Sequence, residues 1–454
     1  MKKLAIFLFL VMTSLSGFAQ FEINAEIRPR GEFRHGYSLL PGPDSDPAYF
    51  VSQRTRLNLL YENEHFKIGI GIQDVRVWGD GQLHSSTGVF GDNASLDLNE
   101  GWIELKTGEK GALKLGRQYF SVEDERLLAR RDWNQSSIKY DALLYKLNLK
   151  TWGFQIGLSY NNNKENIFGD DYNLYNDVIY FDTTTQTVIT KKASLSSRIK
   201  SQNFLFIKKK FNENLHLSFI AMVTGVQNPL TTDIVYGKGT YGLYGQYIKN
   251  KIFMRGSVYY QNGKNFNGQK VNAYMFNYKA DFNLKPWSFA AGIDYISGHD
   301  ALKENAGYQK QDHFFDIFYG ARHKYYGLMD YFNNMRVATS GGGLSDIYTG
   351  IGFAVSSNSK INLDYHFFSL QNNVKDPTTD DGVNFVLDKS LGSELDLVLE
   401  VKILPEINLK GGYSMLFPTK SLEKMQEIEP GQSKTAYWGW LMVTVKPALF
   451  DSKK

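Results

Sequence analysis

Along almost its whole length this chain repeats one unit: an alternating apolar–polar stretch, a very short turn, a second alternating stretch and a long polar loop. Leu143, Tyr145, Leu147 and Leu149 share one face, Lys150-Thr151 reverse the chain, and Trp152, Phe154, Ile156, Leu158 and Tyr160 carry that face back. A period of two is that of an extended strand, whose side chains alternate between two faces. Hairpins of this kind, repeated with short and long connections taking turns, are the pattern of a transmembrane antiparallel up-and-down β-barrel, an all-β fold.

The beginning of the chain reads as a targeting segment. Lys2 and Lys3 precede an apolar run from Leu4 to Met12, and Gly17-Phe18-Ala19 supplies a small-residue cleavage site. Residues 1–19 are expected to be a signal peptide, with 20–454 forming a single outer-membrane barrel domain. No later stretch approaches the roughly 20 apolar residues of a membrane helix, so a membrane-spanning form must be a barrel. The mean hydropathy of -0.35 does not argue against this, because alternation averages lipid-facing with water-facing residues. The chain has no cysteine, which removes thiol catalysis and cysteine metal sites. Its 15% aromatic content suits two interfacial girdles.

The alternation defines about eighteen strands, an even number as a closed bacterial barrel requires. Tight connections such as Glu62–His65, Lys150-Thr151 and Leu404–Glu406 all join an even strand to the next odd one. The long connections, notably 162–199 and 298–345, therefore share the opposite, extracellular end. A bore of this width is not filled by wall side chains alone. Part of 298–345 is expected either to fold inward as a constriction or, through its aromatic stretch His313–Phe332, to cap the pore from outside.

Arginine placement is the sharpest chemical signal. Arg28, Arg30, Arg34, Arg54, Arg56, Arg76, Arg117, Arg126, Arg130 and Arg131 precede residue 132, and only Arg198, Arg255, Arg322 and Arg336 follow. An arginine facing lipid at mid-depth costs about 2–4 kcal/mol, so the early arginines are expected to line one lumenal wall. Their guanidinium groups match carboxylate and phosphate geometry, and such rings select anions. The alternative is that they only brace the wall by pairing with Glu32, Asp74, Glu100, Glu104 or Asp124. Glu100 and Glu104, with Asp294, Asp364, Glu394, Asp396 and Glu400, are also expected inward, so the lumen is mixed in sign. Alternation breaks at Arg76, which shares parity with Ile68, Ile70 and Ile72, and at Arg117, which shares it with Leu113 and Leu115. A bulge near Gln73 or Gly116 would turn both inward; otherwise Arg117 snorkels to the interface.

Other chemistry has little support. The eight histidines form no HExxH pair, and Asp44, Asp46, Asp170, Asp171, Asp380 and Asp381 lack calcium-loop spacing. No metal, cofactor or catalytic residue is expected. No GxSxG segment is present. Lys208-Lys209-Lys210 falls at a tight turn and suggests lipid headgroups rather than nucleic acid.

Several segments resemble the alginate-export family of outer-membrane channels, in its Bacteroidetes-type branch. They are Ser52–Leu57, Gln73–Gly79, Leu115–Gln118, Asp124–Leu127, Arg131–Trp133, Arg322–Asp330 and Gly392–Asp396, in that order. The resemblance implies a monomeric eighteen-stranded channel whose arginine-rich lumen carries an anionic polysaccharide outward; outer-membrane lipids, the solute and periplasmic export partners are the partners expected of such a chain. Carboxylates such as Glu100, Glu104, Asp396 and Glu400 would oppose a polyuronate, which leaves small anionic or sugar-like solutes equally open. A barrel that only anchors binding loops at the cell surface is the competing expectation.

Overall fold

The structure, a computed structural model, describes residues 20–79, 83–84, 90–91, 96–162, 165, 167, 178–182, 187–191, 199–228, 234–378 and 386–453. The expected signal peptide, Arg198, Asp170, Asp171, Asp380 and Asp381 lie outside them. The described residues form eighteen antiparallel barrel strands. In chain order these are β1 (Gln20–His35), β2 (Ala48–Glu62), β3 (Phe66–Val77), β4 (Asp97–Thr107), β5 (Gly111–Gln118) and β6 (Tyr140–Asn148). They continue as β7 (Trp152–Tyr160), β8 (Ile199–Lys210), β9 (Leu215–Gln227), β10 (Val235–Lys249), β11 (Ile252–Gly263) and β12 (Ala273–Leu284). The circuit is completed by β13 (Trp287–Ile296), β14 (Leu344–Ser356), β15 (Ser359–Leu370), β16 (Ser390–Leu404), β17 (Ile407–Pro418) and β18 (Ala436–Val445, resumed as Ala448–Asp451).

Each strand pairs with its neighbours in sequence, and β1 closes the circuit by pairing with β2 on one edge and β18 on the other. Closure leaves no strand edge to lipid. Pro447 interrupts β18 because it has no amide hydrogen, yet pairing resumes and sets Phe450 opposite Ile23. The last strand thus continues to Asp451.

Ile27, Leu57, Ile70, Leu158, Leu243, Val258, Ile351 and Leu441 are exposed on the outer wall, where hydrocarbon replaces water. Buried polar residues take the opposite parity. On β16, Glu394 and Asp396 are buried while Leu397 and Leu399 are exposed. The periplasmic-type turns and the long loops segregate to opposite ends, as the alternation predicts.

The broken alternation has a different cause from the expected bulges. The β2–β3 register runs unbroken from Ser52↔Val77 to Glu62↔Lys67, so β3 is regular at Gln73. The irregularity lies in the next strand, where Gly71 faces Glu100 and Ile72 faces Leu98, leaving Asn99 as an extra residue. That bulge lets even-numbered Leu98 and odd-numbered Leu105 both face outward. Arg76 therefore stays on the outer parity and pairs with Asp74 at 2.6 Å. Arg117 does likewise with Asp141, its Nε and Nη2 at 2.9 and 2.8 Å from the two carboxylate oxygens. Neither lines the lumen.

The main apolar cluster lies inside the bore, where inward-facing wall residues such as Phe204, Met275, Phe368 and Trp438 meet two loops. Phe120, Leu127 and Leu128 from the loop after β5 pack with Phe314, Phe315, Met329, Tyr331 and Phe332 from the loop after β13. Both loops fold inward, and the aromatic stretch His313–Phe332 is the constriction rather than an outer cap. Among the described residues no helix is long and apolar enough to cross a membrane.

Candidate functional site: a constriction made by two loops

The early arginines grip the first of these loops, residues 119–139. Arg28 donates to the carbonyls of Asp132, Trp133 and Asn134 at 2.6, 3.1 and 2.9 Å. Arg54 donates to the Asp132 and Asn134 carbonyls at 3.2 and 3.1 Å, and its Nε reaches Glu26 at 2.8 Å. Arg56 bonds Gln73 and the Ser137 hydroxyl at 3.0 and 2.7 Å. Arg30 donates to the Trp133 carbonyl at 3.1 Å and sits 4.5 Å over its ring. All four point inward, but Arg54 is 0% exposed and Arg56 2% exposed. Their contacts are those of a brace: the fork that would have met a solute meets loop carbonyls.

Arg34 pairs with Glu32 at 2.7 Å and lies 3.9 Å over the Tyr37 ring. Arg126 and Arg131 belong to the loop itself. Arg126 is buried between Asp124 at 3.3 Å, the Tyr326 hydroxyl at 3.2 Å and Asp294 of β13. Arg131 donates to the Gly320 and Phe318 carbonyls at 2.8 and 2.5 Å, which joins the two loops. Arg130, in the same loop, is exposed and lies 4.3 Å over the Tyr119 ring. Glu100 accepts from Trp102 Nε1 at 3.2 Å, and Glu104 lies 4.0 Å from Lys146. The lysine run at 208–210 is split: Lys208 pairs with Glu123 of the inward loop at 3.4 Å, and Lys209 lies over Trp152.

The second loop, residues 297–343, is held by acidic residues of β16, which reaches β1 through β17 and β18. The Met329 amide donates to Glu394 at 2.7 Å and the Leu328 amide to Asp396 at 3.3 Å. A Cβ on Gly327 would fall 2.6 Å from the Glu394 carboxylate, and its φ of +80° suits glycine. A chain of contacts ties both loops back to β1. Trp133 stacks on His323 at 4.3 Å, His323 Nδ1 lies 3.0 Å from Asp330, and Asp330 accepts from the Tyr37 hydroxyl. Tyr37 lies under Arg34, which shares Glu32 with Arg30.

The packed loops divide the bore. On the loop side lies a cavity of about 890 Å³ lined by Phe314, Phe318, Arg322, Tyr331, Asn333, Asn334 and Gln426 among others. Towards the turn end lies one of about 220 Å³ lined by Arg255, Lys279, His323, Lys324, Tyr348 and Asp364 among others. The turn Arg322–Lys324 separates them. Three arginines outside the early cluster line these cavities: Arg322 and Arg336 the larger and Arg255 the smaller, with Arg336 paired to Asp312 and Asp316 at 2.9 and 3.0 Å. Among the described residues no group of three or more His, Asp or Glu is placed to hold a metal ion.

Acid should loosen this constriction. Burial raises the Asp330 carboxyl, but His323, the Tyr37 hydroxyl and Arg322 outweigh it and hold it below its ordinary 3.8. Burial likewise opposes Arg54, Arg28 and Arg130 at Asp132, and the net direction is again downward. A carboxyl lowered in the folded state contributes stability that is present above its ordinary value and lost as pH falls through the lowered one. Single-channel conductance is expected to stay level from neutrality to about pH 5 and to rise only in stronger acid. A rise already complete at about pH 5 would count against these carboxylates as the latch.

Residues 19–206 match the family model described as alginate export. Among curated proteins, none matches the sequence. Many solved structures share the fold, among them three from two bacteria. Pseudomonas aeruginosa OpdQ has a TM-score of 0.56 at 11% identity, covering 95% of this chain and 98% of its own. Pseudomonas aeruginosa OccK3 (OpdO) gives 0.57 at 10%, covering 95% and 96%. Acinetobacter baumannii OccAB4 gives 0.57 at 11%, covering 96% and 99%. Residues 19–206 are thus similar to the alginate-export family, and the chain throughout has the closed eighteen-stranded fold of these outer-membrane β-barrels.

Proposed function

We propose that the barrel is a selective channel for anionic or sugar-like solutes, with a short acidic oligosaccharide or an alginate-like chain as one class of cargo. The observation that carries this reading is the bore itself, narrowed by two anchored loops yet left with a cavity on each side, each lined by both apolar and polar side chains. A barrel serving only as an anchor has no need of paired cavities about a constriction. The larger cavity falls within the size range of small-molecule sites, about 300–1,000 Å³. Phe314, Phe318 and Tyr331 offer ring faces for sugar rings, Asn333, Asn334 and Gln426 offer amides for hydroxyls, and Arg322 suits a carboxylate. An extended polymer would need the Arg322–Lys324 turn to move aside.

Purified protein in a planar bilayer under a potassium chloride gradient tests this. The expected result is discrete ion-conducting events with a reversal potential on the anion side. Absence of conductance, or preference for cations, would sink the proposal.

A further inference from the structure

Buried hydrogen-bond donors without partners are rare, because leaving one unmade forfeits its hydration. Three lie on the two cavities: Arg322 Nε on the larger, and Arg255 Nε and the Tyr348 hydroxyl on the smaller. Tyr348 is 8% exposed. It is seated over Gly292, where a Cβ would fall 2.4 Å from the tyrosine oxygen.

Most other charges on the smaller cavity are already matched. Lys279 lies 3.4 Å from Asp281 and Lys324 3.5 Å from Glu125. Asp294 is held by Arg126, Asp396 accepts from the Ser414 hydroxyl at 2.5 Å, and His366 lies 2.9 Å from Asp346. Arg255 and Asp364 remain, neither with an ion pair among the described residues.

We infer that the smaller cavity is an oxyanion subsite, in which Arg255 and Tyr348 hold a carboxylate or phosphate group that Arg322 has first met on the loop side of the constriction. This rests on the reading of the barrel as an anion channel. Arg255 offers a planar fork and Tyr348 a single hydroxyl, a donor set suited to an oxygen anion rather than to a sugar hydroxyl. Asp364 faces the same space and limits the affinity, as conduction requires: a site must be strong enough to fill and weak enough to empty. Selectivity then resides in arginines outside the cluster that dominates the sequence, while the cluster shapes the bore.

Inorganic phosphate is the probe, and its block of chloride current through the purified full chain is the measurement. Arg255→Gln and Tyr348→Phe should each weaken the block about tenfold. Asp364→Asn should strengthen it, and Arg322→Gln should weaken it only when phosphate is added on the loop side. Unchanged block in Arg255→Gln and Tyr348→Phe, with an anion-preferring wild type, would overturn the subsite and leave the channel reading standing. A wild type that prefers cations would overturn both. The Asp364→Asn change carries the opposite sign, so a general loss of folding does not mimic the expected pattern.

Discussion

Replacing Arg126 with alanine will raise single-channel conductance severalfold. Among the described residues this guanidinium is the only cation that the ion pairs place between Asp124 of the inward loop and Asp294 of the wall, and it also meets the Tyr326 hydroxyl and the Tyr325 ring. Removing one partner of a buried pair leaves an uncompensated charge, at a cost of about 3–5 kcal/mol. Here two carboxylates are left at once, and the strands lose none of their ladder bonds. The strain is relieved most cheaply by releasing residues 119–139 and, through Arg131, residues 313–332. The barrel should still assemble, since its closure rests on backbone pairing around the full circuit. Conductance equal to wild type would mean that the loops do not obstruct the path.

Arg54→Ala distinguishes a brace from a filter. Arg54 loses two loop carbonyls, a contact to Asp132 at 3.1 Å and its bond to Glu26. At about 1.5–3 kcal/mol for each charged hydrogen bond, the loop loses a main anchor. Glu26 keeps Lys446 at 3.2 Å, so the wall itself is not left with a bare carboxylate. The expected result is higher conductance with a nearly unchanged reversal potential. A filter arginine would do the reverse, shifting reversal potential while leaving conductance near wild type.

These two outcomes bear on what a sequence can disclose about a barrel. Strand number, register of alternation and the segregation of tight and long connections are local properties, carried by neighbouring residues and a period of two. The hairpin around Lys150-Thr151 is an example, since both its faces are written in one short stretch. The partners of the arginines are not local. Arg28 and Arg54 end on backbone carbonyls 78 to 106 residues away, and a carbonyl has no signature in a sequence. Arg76 is hidden for another reason: the bulge that disturbs its region sits at Asn99, on the adjacent strand. Arg255 and Arg322 carry no local mark either. They matter because the groups that might have neutralised them pair elsewhere, and that is visible only once the loops are in place. The density of aromatics in His313–Phe332 did signal burial, but not on which side of the rim.

Polymer exclusion in planar bilayers tests the central claim most directly. Poly(ethylene glycol)s of increasing size are added to one side or the other, and the fall in single-channel conductance reports how far each penetrates. Two cavities separated by the Arg322–Lys324 turn predict that mid-sized polymers enter from either side and lower the conductance only partly, with the loop-side cavity admitting the larger ones. Arg126→Ala should merge the two profiles. A wild-type profile that is the same from both sides and fills the whole bore would describe an open cylinder, and would contradict the constricted channel.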